Sequence, residues 1–128
     1  MTLTNTNTPQ LLRDLPLHTV PVVEPSAFLA DVIAALHDEP LGIVVLVGDG
    51  QYMGVYTEGD ENAGRVPANA PLDELAVGPY ASGLRFVGAP NMPVSEARAL
   101  MVRHNLRAMP VVANRIYKGV VAIEDVGE

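Results

Sequence analysis

Thr57-x-x-Asp60 follows the apolar and aromatic run Tyr52–Tyr56, at a point where a strand gives way to a helix. Thr at an N-cap with an acid three residues on satisfies free helix amides reciprocally and suits the positive end of the helix dipole. The same carboxylate, once ionised, only accepts hydrogen bonds, so a fixed Asp60 can also hold hydroxyl donors of a ligand. The two roles can coexist. Arg107 stands just before a second apolar run, and a guanidinium fork suits phosphate oxygens. Its plain alternative is a surface arginine, and Arg103 and His104, one helical turn earlier, read as solvated helix residues. His18, His37 and His104 are far apart and match no metal-ligand spacing, which leaves them as surface or capping residues. Asp38-Glu39 and Glu58, Asp60 and Glu61 read most simply as solvated acidic faces, with a divalent cation beside a phosphate as the minor alternative. Gly48-Asp49-Gly50 is a hairpin turn, because neither Gly-Lys-Ser/Thr nor a following helix makes it a phosphate loop. No Ser–His–Asp order stands out, so the chain reads as a non-enzyme.

An internal repeat positions these groups. A shift of 65 carries Pro25 onto Pro90, Ala34 onto Ala99, Leu41 onto Leu106, Val47 onto Val112 and Tyr52 onto Tyr117. It also carries Gly54-Val55 onto Gly119-Val120 and Asp60 onto Asp125, without a gap. Repetition at a fixed period fixes architecture more firmly than local propensity does. The copies differ where chemistry is at stake. Thr57 falls on Ala122, so the capping box fails there although Asp125 is kept, and Arg107 falls on Gly42.

Each half must be read as strand, helix, strand, strand, short helix. In the first, Thr19–Val23 is a strand, and Pro25-Ser26 opens a helix with Ser26 as N-cap and Leu29, Val32, Ile33 and Leu36 on one face. Asp38-Glu39-Pro40 ends that helix; Ile43–Val47 is a buried strand, and Tyr52–Tyr56 returns from it. In the second half Leu84–Val87 is a strand, and Ser95–His104 is a helix with Ala97, Leu100 and Met101 inward. Ala108–Val112 and Ile116–Val121 form a hairpin turned at Ala113-Asn114-Arg115, and Ile123–Val126 starts a helix. Leu11–Leu17 is a lead-in able to pack on the domain, and the segment from Glu61 to about Gly83 is a linker with a helical turn at Leu72–Leu75.

Of 128 residues, 48% are apolar and Trp is absent, so the core should be aliphatic. A half of about 60 residues buries only a marginal core, so the two must share one. Cysteine is absent, which excludes disulfides, thiolate metal sites and Cys nucleophiles. A formal charge of −7 argues against nucleic-acid binding. Apolar stretches are too short to span a bilayer, so no membrane partner is expected. Met1–Gln10 reads as a frayed tail rather than a signal peptide, and a cytoplasmic location is the default.

In the second half, Pro93-Val94-Ser95-Glu96-Ala97, Met101, Leu106-Arg107-Ala108-Met109-Pro110-Val111-Val112, Tyr117-Lys118-Gly119-Val120-Val121 and Asp125 together resemble a CBS motif, named after cystathionine β-synthase. The first half resembles it more loosely, through Gly48-Asp49-Gly50, Gly54-Val55-Tyr56-Thr57 and Asp60. Two in tandem resemble a CBS pair, or Bateman module, over roughly Leu17 to the C-terminus. The order and spacing, occurring twice, carry the resemblance. It implies a mixed α+β fold of tandem βαββα repeats with pseudo-two-fold symmetry. The corresponding divisions are 1–14 as N-terminal tail, 15–66 as the first motif, 67–83 as linker and 84–128 as the second motif.

The resemblance also implies two clefts that bind adenosine-containing ligands: AMP, ADP, ATP, S-adenosylmethionine or cyclic dinucleotides. Gly54, Thr57 and Asp60 match the family's ribose pattern. Carried over, it sets Thr57 and Asp60 opposite Leu84, Arg85, Phe86 and Val87, with Arg107 near the phosphates. The second, poorer cleft pairs Asp125 and Ala122 with Thr19, Val20 and Pro21 and has Gly42 where a cation would stand. A phosphorylated adenosine ligand is therefore expected in the Asp60 cleft, with no required cofactor and no metal. A homodimer and a regulated protein partner are implied as well. The competing expectation is a dimerising interaction module that has lost its nucleotide sites, with Thr57 and Asp60 serving only as caps.

Overall fold

The computed structural model of the chain describes residues 10–63, 66–81 and 87–126. The first half runs β1 (Val22–Val23), α1 (Leu29–His37), β2 (Ile43–Gly48), β3 (Gln51–Thr57) and α2 (Glu58–Asn62). The second runs α3 (Val94–Arg103), β4 (Ala108–Ala113), β5 (Ile116–Ala122) and α4 (Ile123–Val126). β1 lies parallel to β2, which is antiparallel to β3, and β4 is antiparallel to β5. Gly88 makes a parallel bridge to Val111, in the place that Val23 holds against Leu46. The mixed α and β architecture in two like halves is the one expected.

The repeat holds down to its irregularities. The first hairpin slips register between Leu46 and Val47, the second between Val111 and Val112. The bulges need backbone open only to glycine, and Gly54 and Gly119 supply it at φ 140 and 147. Both hairpins close through two residues at positive φ, Asp49-Gly50 and Asn114-Arg115, the geometry that matches strand twist.

β2 is an unbroken apolar run because both its faces are covered. Val44 and Leu46 join Leu29, Val32 and Leu36 of α1, with Tyr56 and Val77. In the second half Ala97 and Met101 of α3 pack on Met109, Val111, Val121, Val126 and Leu12. The opposite strand faces meet each other: Ile43, Val45, Tyr52 and Val55 from one half, Ala108 and Val120 from the other, with Val20. This is the shared core that the size of each half demanded.

Several local expectations are corrected. Only Val22–Val23 of the expected strand Thr19–Val23 pairs along β2; Pro21 offers its carbonyl to Val45 but has no amide, and His18 pairs instead with Val120 of β5. Ser26 is not the cap of α1. That helix begins at Leu29 after Phe28, without a side-chain cap. Its first amides, Leu29 and Ala30, go to the carbonyls of Leu75 and Leu72 at 2.8 and 2.9 Å, so the backbone does the capping. Near Leu72–Leu75 the chain makes a turn closed by the Glu74 amide on the Pro71 carbonyl. Of Leu84–Val87, residues Leu84, Arg85 and Phe86 lie outside the described residues.

The lead-in does pack, and it does so on the far half. A 3-10 turn at Leu12–Asp14 bonds Leu12 and Arg13 amides to the carbonyls of Met92 and Pro90, and the Gln10 carbonyl caps Val94 of α3. A matching 3-10 turn at Gly78–Tyr80 follows Val77 and Gly78, whose amides reach Ala27 and Pro25. The arms are thus exchanged. Leu12 is wholly buried, 2.6 Å from where a Cβ on Gly88 would lie. We expect Leu12→Ala to cost about 2–5 kcal/mol in urea unfolding, the range of a core leucine truncation.

Tyr52 and Tyr117, equivalent in the two halves, have buried hydroxyls with no hydrogen-bond partner among the described residues. Burial, with the Tyr117 phenol beside it, pushes the Tyr52 pKa up, and burial raises that of Tyr117. A phenol raised above its unfolded value of about 10 contributes fully below that pH and is lost as pH climbs toward the folded pKa. Melting curves of Tyr52→Phe should therefore match or exceed wild type at pH 7 and fall less steeply above about pH 10.

A candidate ligand pocket between the repeats

Residues remote in sequence converge where the two hairpins begin. Gly42 and Arg107 each precede a buried strand and each accepts an amide through its carbonyl, from Glu58 and Ile123 respectively. Gly42 has φ +68, and a Cβ there would lie 2.6 Å from the Arg107 guanidinium and 2.9 Å from the Glu58 carboxyl carbon. The difference between the copies is thus complementary: the missing side chain at 42 is the space that Arg107 occupies.

Around this point lies a cavity of about 480 Å³ lined by both halves. Leu41, Ile43, Leu106 and Ala108 give apolar walls, while Thr57, Glu58, Asn62, Asn105 and Arg107 give polar ones. Its size falls in the range of small-ligand sites.

Thr57 is the N-cap of α2, the one α-helix among those described here that starts on a side-chain cap. Its Oγ1 accepts the Asp60 amide at 3.2 Å and donates to Asp60 Oδ2 at 3.0 Å. The Thr57 amide donates to the same oxygen at 2.9 Å. Asp60 is only 8% exposed and stands behind the pocket wall rather than in it. The capping role expected of the pair is therefore realised in full.

Arg107 donates to Glu58 Oε1 at 3.0 Å across the pocket. Sequence reasoning missed this pairing, since Glu58 looked like one more solvated acid. Glu61 likewise takes His37 at 3.0 Å, and Glu39 accepts the Leu41 amide at 2.8 Å. Val87 packs in the shared core and does not line the pocket.

The second cleft is arranged differently. Thr19 is exposed and Val20 lies in the shared core. Asp125 lacks a cap partner at Ala122, but its Oδ2 lies 2.7 Å from His18 Nε2. Two backbone bonds between His18 and Val120, at 2.8 and 3.0 Å, fix that histidine. His18 is no mere surface residue, and no sequence signal pairs it with an acid so distant along the chain.

Among the described residues no helix is long and apolar enough to cross a membrane. The family model of the CBS domain matches residues 12–60 and 89–126. The chain is 26% identical over 114 residues to the CBS domain-containing protein YhcV of Bacillus subtilis (strain 168), covering 89% of this chain and 81% of that protein. It is similar to a solved CBS domain protein from Pyrobaculum aerophilum complexed with AMP, at TM-score 0.73 and 23% identity, covering 91% of this chain and 89% of that one. A CBS domain pair in complex with 5′-methylthioadenosine and S-adenosyl-L-methionine is similar at TM-score 0.73 and 17% identity, covering 93% of this chain and 94% of that one. At these identities the solved structures establish a common fold.

Thr57→Ala should cost about 1 kcal/mol of stability, as loss of an N-cap does, whereas Thr57→Ser should hold it; chemical denaturation checks both.

Proposed function

The chain belongs to the CBS-domain family, and from that premise we propose that it is a small regulatory module whose inter-repeat pocket binds an adenosine-containing ligand. The observation that carries this reading is the convergence of Thr57 and Arg107, one from each repeat, on a single cavity of about 480 Å³. The base lies between the apolar walls of Leu41, Ile43, Leu106 and Ala108. Thr57 meets the ribose hydroxyls at the pocket wall, Asp60 behind it holds Thr57 in place through its amide and hydroxyl, and Arg107 faces the 5′ end. Solved relatives of this fold in complex with AMP, or with 5′-methylthioadenosine and S-adenosyl-L-methionine, support the ligand class.

A ligand touching both repeats favours one of their relative arrangements, so binding acts by population shift and not by catalysis. A homodimer is the assembly whose geometry it biases, and a regulated protein reads the result. The Asp125 cleft, by contrast, already spends its carboxylate on His18, so one ligand binds per chain.

The competing reading, an interaction module without nucleotide sites, draws on the complete capping box and on the Arg107–Glu58 pair. Thermal melts separate the two. Ligand at about 100 times its Kd should stabilise the native state by roughly 2.7 kcal/mol. Adenosine, AMP and S-adenosylmethionine are the probes. Under the sensor reading at least one raises Tm, Asp60→Ala abolishes the rise, and calorimetry gives one equivalent per chain. No rise with any of the three leaves the interaction module.

A further inference from the structure

The charge on the pocket wall is balanced before any ligand arrives. Arg107 is the cation among the lining residues and Glu58 the anion, and they face each other at 3.0 Å. Both side chains are about half exposed, at 57% and 53%, so the pair is weak and can part. What does not leave is the negative charge. Glu58 is the first residue of α2, so its backbone keeps the carboxylate tethered at the pocket wall even when the pair parts. The surroundings add acids: Asp60 and Glu61 follow on α2, and Glu39 lies on the approach to Leu41; of the basic groups near by, His37 is bound to Glu61, and Arg103 and His104 end α3 ahead of the lining Asn105.

We infer that Glu58 is a specificity-determining residue of this pocket, acting as a built-in counter-anion on Arg107. Resting on the adenosine reading above, the inference narrows the ligand to an adenosine derivative whose 5′ substituent carries no net negative charge. This reverses the sequence-based expectation of a phosphorylated ligand. A phosphate drawn to Arg107 displaces the Glu58 carboxylate and then sits beside it and the other acids of α2, so repulsion outweighs attraction. A neutral or cationic substituent leaves the pair intact or gains from the acid. Gly42 makes the device work, because its missing Cβ lets the guanidinium reach Glu58 at all. In the second half Ile123 stands at the position of Glu58, so no such pair can form there.

The test is calorimetric titration of wild type, Glu58→Gln and Glu58→Lys with adenosine and with AMP. Wild type should bind adenosine at least as tightly as AMP. The affinity for AMP relative to adenosine should rise by about fivefold or more in Glu58→Gln and further in Glu58→Lys, as each removes or reverses one nearby charge. A ratio that stays flat across the series overturns the role of Glu58 while leaving adenosine binding in place. Failure of both probes to bind any of the three proteins overturns the adenosine reading, and this inference with it. Should the variants not fold, wild type alone decides. Added salt screens net repulsion and should improve AMP relative to adenosine, whereas a salt-induced loss of AMP relative to adenosine overturns the inference.

Discussion

The long helix of each half is capped by the segment that leads into the other half. The first amides of α1 are capped by the carbonyls of Leu75 and Leu72, and the first amide of α3 by that of Gln10. Free amides at a helix start must find acceptors, and here neither helix carries a side chain that provides one. The two arms that do so end in Leu12 and Val77, both of which are wholly buried. Neither half therefore has a complete helix terminus or a complete core by itself. Everything else follows: the strands must meet face to face, the hairpin bases come together, and a pocket opens between them.

Much of this was legible in the sequence, for definite reasons. Hairpins announce themselves through turn residues and through glycines at bulges, and both signals occur twice at the same spacing. Gly54 and Gly119 occupy the same positive-φ conformation because the same slip of register recurs. Backbone capping leaves no such trace. A carbonyl belongs to every residue, so nothing marks Leu75 or Gln10 as a cap, and Ser26 drew attention only because its side chain looked the part. Side-chain pairs across long separations, His18 with Asp125 and Arg107 with Glu58, were hidden for a related reason: a fold must exist before they can meet.

Where the copies differ, the structure turns apparent decay into division of labour. A side chain at position 42 would need a positive φ and would crowd the end of Arg107, so glycine there suits the arginine of the other repeat. Asp125, deprived of a hydroxyl partner at Ala122, is held by His18 instead. Quasi-symmetry thus sets up two equivalent acids, and local context gives one to the chain's own histidine and keeps the other beside an open cavity.

The exchanged arms have a consequence for how the chain is made. A ribosome delivers Leu12 long before Met109, Val111 and Val121, the residues that enclose it. Contacts so far apart in sequence slow folding, because the loop between them must be closed before they contribute. The nascent first half must wait with its arm unseated and the caps of α1 unfilled until Leu72 and Leu75 emerge. Productive folding is then a late event of synthesis, and exposure of the arm in the interval is the moment at which the chain is most open to pairing with a neighbour of its own kind.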